Sequence, residues 1–131
     1  LEGSLAVKDL RAAWDARFND YLGITPPNAT KGVLQDVHWS GGMMGYFPTY
    51  ALGNLVSAQL WEVINRDIPD LADQAARGQF AELLGWLRAN VHIYGAKFEP
   101  QELVHKITGS KIDPQPYLRY LRTKYSEIYN L

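Results

Sequence analysis

The stretch from residue 32 to residue 54 reads GVLQDVHWSGGMMGYFPTYALGN and holds several side chains that can take part in chemistry. His38 is followed, after a glycine-rich turn, by Tyr46 and Tyr50. The two tyrosines are four residues apart where a helix is expected to begin, so their side chains can share one face. Histidine and tyrosine both donate well to an oxyanion developing on a carbonyl, and losing one such donor costs about 2.7–4 kcal/mol of transition-state stabilisation. The stretch therefore suggests polarisation of a carbonyl, with the nucleophile supplied from elsewhere.

Structural roles for the same residues remain open alternatives. A histidine beside a tryptophan is more often structural than catalytic, and tyrosines on a buried helix usually anchor packing. Asp36 can simply bond a local N–H in a turn, and Trp39 is suited to the core. His92 and His105 lie in helical patterns without a second ligand four residues away, so we interpret both as structural.

The composition is typical of a globular protein with no nucleic-acid partner. The chain has 131 residues, of which 47% are hydrophobic and 21% charged, and its net charge is -1. No run of lysine or arginine forms an electrostatic footprint for DNA or RNA. Cysteine is absent, which excludes disulfides and thiolate metal sites and fits a reducing compartment. We expect a cytoplasmic protein without a membrane span, because the longest apolar run, residues 43–58, is interrupted by proline, asparagine and glycines.

Apolar residues recur at helical spacing along most of the chain and predict an all-α fold without strands. A first helix is predicted over residues 5–22, with Ser4 as its cap and Gly23 as its stop. A second is predicted from about residue 47 to 65, with Pro48 tolerated in its first turn. The segment 32–39 between them is ambiguous and is left irregular. Further helices are predicted over residues 70–76, 79–94, 100–108 and 116–129.

The second predicted helix is unusual because apolar residues lie almost all round its axis. Such a helix is buried on most sides. The remaining helices are too few to surround it, so we expect the chain either to oligomerise or to be a piece of something larger.

The segment GVLQDVHW matches a known family signature, Gly-x-x-Gln-Asp-x-His-Trp, at Gly32, Gln35, Asp36, His38 and Trp39. It is the signature of the carboxypeptidase Taq family of zinc metallocarboxypeptidases. GYFPTYALGNL, the later YGAKFEPQELVHKITGSKIDPQPYLRYLRTKY and the opening LEGSLAVKDLRAAW are also similar to the C-terminal region of that family. The resemblance covers essentially the whole chain. It implies an all-helical, often homodimeric peptidase that removes C-terminal amino acids from peptide substrates.

The resemblance also implies that the metal site lies elsewhere. In that family a His-Glu-x-x-His motif and a downstream glutamate bind the zinc, with the first glutamate as general base. The three histidines of this chain fit no such motif. We therefore expect residues 1–131 to be a single helical C-terminal fragment or subdomain, with zinc or cobalt bound by upstream residues of the full-length enzyme. Alone, the fragment is expected to bind no zinc tightly and to be inactive, and the upstream part would surround the apolar second helix.

The resemblance assigns a role to each residue of the opening stretch. By likeness to related helical zinc peptidases, Tyr50 is the expected oxyanion stabiliser, with His38 as a second donor or substrate contact. Tyr46 would line the substrate pocket. Gln35 and Asp36 would orient His38 or the loop, as outer groups fix inner ones, and complete the predicted substrate-binding set with Tyr46.

One rival interpretation comes from a different class. The chain could be a standalone helical module that binds a partner helix through its apolar faces, without catalytic activity. A reading frame that extends upstream into a His-Glu-x-x-His helix would favour the peptidase, whereas a frame that begins near Leu1 would favour the module.

Overall fold

The computed structural model describes residues 3–131, and Leu1 and Glu2 of the opening segment lie outside the described residues. Between residues 3 and 131 the chain forms helices and short 3-10 turns, with no strand, so the predicted all-α fold is confirmed. The residues group into two compact units, one ending at Pro48 and one covering Thr49–Leu131. A single domain over residues 1–131 stays a prediction.

The first unit contains one α-helix, near its start. A 3-10 turn at Val7–Asp9 leads into α1, Leu10–Leu22. Gly23 ends the helix as predicted, in the left-handed conformation (φ 70°), with its N–H donating to the Asn19 carbonyl at 2.9 Å. The predicted start at residue 5 is wrong, and Ser4 is not the cap, because the first turn is wound as a 3-10 turn before the α-helix starts.

The rest of the first unit is built from short 3-10 turns at Ala29–Lys31, Val33–Gln35 and Trp39–Gly41. Asn28 caps the first of these, since its Oδ1 accepts the Lys31 N–H at 3.0 Å. The segment that was ambiguous in sequence is therefore two tight turns rather than a strand or a longer helix.

Gly32 lies where the chain passes closest to itself. A Cβ atom at this position would be 2.9 Å from Cβ of Pro26, 3.2 Å from the Asn28 carbonyl oxygen and 3.3 Å from Oδ1 of Asp15. Pro26 and Val33 are buried beside it. Only glycine fits this approach without displacing its neighbours.

The second unit contains five helices: α2 (Thr49–Asp67), α3 (Leu71–Ala76), α4 (Ala81–Asn90), α5 (Pro100–Thr108) and α6 (Gln115–Tyr129). The long helix α2 packs against both α5 and α6. It begins two residues later than predicted, so Pro48 directly precedes the helix instead of lying in its first turn.

The helix predicted over residues 79–94 is shorter than expected. It ends at Asn90, and a separate 3-10 turn follows at His92–Tyr94. The side-chain amide of Asn90 donates to the Trp86 carbonyl at 2.9 Å, which satisfies a carbonyl of the last turn. Val91 then leaves the helical conformation (φ −123°, ψ −62°), and this breaks the predicted continuation.

The core of the second unit forms where α2, α3 and α4 meet. Leu71 is fully buried. Ile64 and Ile68 pack beside it, and partly buried side chains complete the cluster, namely Leu60, Leu83, Trp86 and Leu87.

A buried amide joins α2 to the connection between α5 and α6. The Gln59 Nε2 donates to Oγ1 of Thr108 at 3.2 Å, to Oγ of Ser110 at 2.8 Å and to the Lys111 carbonyl at 2.9 Å. Its Oε1 accepts the Asp113 N–H at 3.0 Å. Both ends of the amide are therefore satisfied, as a buried polar group requires.

Much of α2 stays uncovered within this chain. Its buried residues are Gln59, Val63 and Ile64, all in its C-terminal half. Tyr50, Leu52 and Trp61 are about half exposed, so the expectation of burial on most sides is not met within residues 3–131. Of the helices in this described part, none combines the length and the apolar character needed to cross a membrane.

Candidate functional site

A short side-chain contact joins two residues of the predicted site, Asp36 and His38. Oδ1 of Asp36 lies 2.7 Å from Nδ1 of His38 and also accepts the backbone N–H of His38 at 3.0 Å. The two side chains are only 10% and 13% exposed. One carboxylate oxygen thus fixes both the ring and the backbone of the histidine.

This contact restricts which protons His38 can carry. An ionised carboxylate only accepts hydrogen bonds, so the Nδ1 position facing Asp36 carries a proton. In the neutral ring Nε2 is then an acceptor, and Nε2 becomes a donor only in the imidazolium form. Only the imidazolium form could therefore donate from Nε2 to an oxyanion.

Two aromatic rings hold the imidazole from other directions. The Tyr46 ring lies 5.4 Å from the His38 ring between centroids, tilted by 38°. The Phe47 ring lies 5.1 Å away in an edge-on arrangement at 79°. Phe47 was not among the predicted site residues, and its aromatic side chain next to Tyr46 was the only signal in the sequence.

The glycine-rich turn is held by hydrogen bonds to the backbone carbonyl of His38. That carbonyl accepts the N–H groups of Gly41 at 3.1 Å and Met43 at 3.0 Å. Gly42 adopts φ 76°, a left-handed conformation that favours glycine, and its N–H donates to the Trp39 carbonyl. The turn therefore positions the residues after it relative to His38.

Trp39 connects the site to helix α1 through ring contacts. Its ring meets the Trp14 ring edge-on, 6.0 Å between centroids, and Trp14 stacks on Phe18 at 6.3 Å. These contacts join the signature segment to α1. Trp39 is partly buried, and its core role stays a prediction.

Gln35 and Tyr50 are the other two predicted site residues. Gln35 donates its side-chain amide to the Thr30 carbonyl, so its contact is with the preceding turn and not with the His38 ring. Tyr50 is the second residue of α2, in the second unit, and is 57% exposed. Tyr46 precedes α2, so the prediction that both tyrosines share one helix face is wrong.

The chain offers no metal site in the region that the structure describes. Within residues 3–131, no three histidine, aspartate or glutamate side chains lie close enough to hold a metal ion. His92 lies in a 3-10 turn and His105 in α5, and both are exposed.

A separate groove of about 830 Å³ runs between α2 and α6. Aromatic side chains line it, among them Trp61, Tyr117 and Tyr120. The guanidinium of Arg119 bonds both carboxylate oxygens of Glu62 at its edge, at 2.8 and 2.9 Å. None of the predicted site residues lines this groove.

The chain is similar to known proteins over nearly its whole length. Residues 1–125 match the carboxypeptidase Taq (M32) metallopeptidase family. Thermostable carboxypeptidase 1 of Thermus thermophilus is 43% identical over 127 residues, which are 97% of this chain and 25% of that protein.

Solved structures are similar to this chain over a comparable share of its length. The M32 carboxypeptidase of Deinococcus radiodurans has a TM-score of 0.90 and 43% identity, covering 98% of this chain and 26% of that one. Trypanosoma cruzi metallocarboxypeptidase 1 has a TM-score of 0.87 and 34% identity, covering 95% of this chain and 25% of that one. The chain thus spans about a quarter of the length of the relatives it matches.

Proposed function

Because the chain belongs to the carboxypeptidase Taq (M32) metallopeptidase family, we propose that it is the C-terminal quarter of a metal-dependent carboxypeptidase. The full-length enzyme would hydrolyse C-terminal amino acids from peptides, in the cytoplasm and as a homodimer. The family match over residues 1–125 supports this proposal over a standalone interaction module. The coverage of the relatives also supports it, because the chain matches about a quarter of the length of proteins that are carboxypeptidases.

The metal, zinc or cobalt, would be held by the rest of the full-length chain. A catalytic zinc takes about three protein ligands, and the described residues do not offer such a set. The role of this chain is therefore to bind substrate and to stabilise charge on it. Separated from the metal-binding part, it would be inactive.

Asp36 and His38 supply the observation that carries the proposal. Hydrolysis of a peptide bond develops negative charge on the carbonyl oxygen, and preorganised donors aimed at that oxygen lower the barrier. Oδ1 of Asp36 lies 2.7 Å from Nδ1 of His38 and fixes the orientation of the ring. In the imidazolium form, Nε2 of the ring can donate to the oxyanion. A ring held in this way needs no reorientation during the reaction.

Tyr50 is the proposed principal donor to the oxyanion. Its position at the start of α2 places the phenol on a rigid helix, and its side chain is about half exposed. Tyr46, in ring contact with His38, would line the substrate pocket. Gln35 would act by holding the preceding turn through the Thr30 carbonyl.

The test is the kcat/KM of the full-length, metal-loaded enzyme on a blocked dipeptide, for wild type and Tyr50→Phe. Phenylalanine keeps the ring and removes only the hydroxyl group. We expect a loss of about two to three orders of magnitude, mostly in kcat, as for one oxyanion donor. Tyr125→Phe, an exposed tyrosine on α6, is the matched control and should retain activity. Near-wild-type activity of Tyr50→Phe would remove Tyr50 from the chemistry and leave His38 to be tested.

A further inference from the structure

The only two methionines of the chain are adjacent and lie in the turn that follows His38. The sequence there is Gly42-Met43-Met44-Gly45, and both glycines adopt left-handed conformations, with φ 76° and 73°. Met43 is 47% exposed and Met44 is 56% exposed. Two large apolar side chains are thus held on the surface of a tightly wound turn.

The backbone of this pair is tied to both site residues that flank it. The Met43 N–H donates to the His38 carbonyl at 3.0 Å. The Met43 carbonyl accepts the Tyr46 N–H at 3.3 Å. The methionines therefore keep a fixed place in the backbone between His38, the proposed donor to substrate, and Tyr46, the proposed lining of the pocket.

Methionine has properties that distinguish it from other apolar residues in such a place. It is unbranched, has three rotatable side-chain bonds and carries a polarisable sulfur, so it adapts to apolar partners of different shapes. Valine or isoleucine, which are branched at Cβ, would present a stiffer surface. Two exposed methionines therefore form an apolar surface that can adjust to more than one ligand side chain.

We propose that Met43 and Met44 are specificity-determining residues, forming an adaptable wall against an apolar side chain that flanks the scissile bond of the peptide. This inference rests on the proposed function, since it needs peptide bound beside His38. It predicts that the enzyme prefers apolar side chains of several sizes over alanine at that position, and that the methionines cause this preference.

The experiment compares kcat/KM of the full-length, metal-loaded enzyme on four blocked dipeptides: Ala-Ala, Ala-Leu, Ala-Phe and Phe-Ala. In the double variant Met43→Ala with Met44→Ala, the preference for the bulky substrates over Ala-Ala should fall roughly five- to twentyfold at one of the two substrate positions. The rate on Ala-Ala should stay within about threefold of wild type, because that substrate reaches the wall least.

Two further variants separate contact with substrate from damage to the turn. Met43→Leu with Met44→Leu keeps the apolar volume, so it should return the preference to within about threefold of wild type. Leu84→Ala removes an exposed apolar side chain from α4, away from the turn in sequence, and should leave all four rates unchanged.

Each result bears on the inference in a definite way. A double alanine variant that retains activity with unchanged substrate preference would overturn it, and so would an equal loss on all four substrates, which indicates a damaged turn. Failure of the wild-type enzyme to cleave any of the four would overturn the proposed function and this inference with it.

Discussion

Oδ1 of Asp36 accepts two hydrogen bonds from His38, one from the ring Nδ1 at 2.7 Å and one from the backbone N–H at 3.0 Å. The two residues are two positions apart, so this contact forms within a single turn of chain. The orientation of the imidazole is therefore set locally, and ring contacts with Tyr46 and Phe47 complete it.

Replacing Asp36 should lower the catalytic rate in proportion to the hydrogen bonding that is lost. Asp36→Asn keeps an oxygen that can accept from His38 and loses the charge, whereas Asp36→Ala loses both. We expect kcat of the full-length enzyme to fall about tenfold for asparagine and about a hundredfold for alanine, the range found when outer groups that orient a site are removed. KM should change less than about twofold, because the histidine would act on the transition state.

Asp20→Asn is the matched control for Asp36, since the Asp20 side chain is exposed on α1 and pairs only with Arg17 at 3.6 Å. Its rates should equal those of wild type. An Asp36→Ala enzyme with wild-type kcat would show that orientation of His38 does not matter for the reaction.

Gly32→Ala should destabilise this chain. The added Cβ would lie 2.9 Å from Cβ of Pro26, whose ring cannot swing aside. Overpacking of this kind costs about 1–3 kcal/mol. Gly53→Ala is the control, because Gly53 lies inside α2 with no atom within 4 Å of the new Cβ. Alanine there should raise the free energy of unfolding by about 0.5–1 kcal/mol. Urea unfolding should therefore show a lower free energy of unfolding for Gly32→Ala and a higher one for Gly53→Ala. Equal effects would refute the close approach at Gly32.

Gln59→Leu should destabilise the second unit strongly. Leucine would leave the Lys111 carbonyl and the Asp113 N–H without the amide that now satisfies them. Both hydrogen bonds are partly buried, and a group left unpaired away from water costs about 1–3 kcal/mol, so we expect a loss of roughly 3 kcal/mol in the free energy of unfolding. Gln101→Leu removes a similar amide from an exposed position with one hydrogen bond, to the Ile112 N–H, and should cost less than about 1 kcal/mol. Comparable losses in the two variants would contradict this account.

Asp67 should contribute to stability near neutral pH and lose this contribution in acid. The indole N–H of Trp86, 2.9 Å from Oδ2, and then the Arg66 guanidinium hold the pKa of Asp67 below its ordinary value of 3.8. Because the folded pKa is the lower one, this contribution is present above the unfolded pKa and is lost as the pH falls through the folded pKa. NMR titration of the carboxyl should show the pKa rising toward 3.8 in Trp86→Phe. Arg66→Gln should produce a smaller rise, and no change in either variant would exclude these causes.

The sequence predicts a helix well where the signals for its ends are local. The predicted range 100–108 coincides with α5. Its ends carry local signals, since Glu99 and Glu102 form a capping box, Pro100 opens the helix and Gly109 ends it in the left-handed conformation. The end of α4 differs from the prediction because Val91 leaves the helical conformation (φ −123°, ψ −62°), which hydrophobic spacing does not reveal.

In the candidate site, too, contacts between near neighbours in sequence can be predicted and contacts between distant residues cannot. Asp36 and His38 are close in sequence, so a contact between them could be anticipated from the signature segment alone. The edge-on contact of Trp14 with Trp39 and the contact of Phe47 with His38 depend on how the chain turns between them. Hydrophobic spacing predicts which faces are apolar, and it does not predict which rings meet.

The amide of Gln59 has a consequence for the order in which the second unit forms. Its partners lie 49 to 54 residues further along the chain, so its bonds require α2 and the segment after α5 to come together across a long loop. Closing such a loop costs conformational entropy before any contact repays it. The middle of α2 and the turn before α6 should therefore gain protection from hydrogen exchange together, as one cooperative step, and not by zippering inward from the C-terminus.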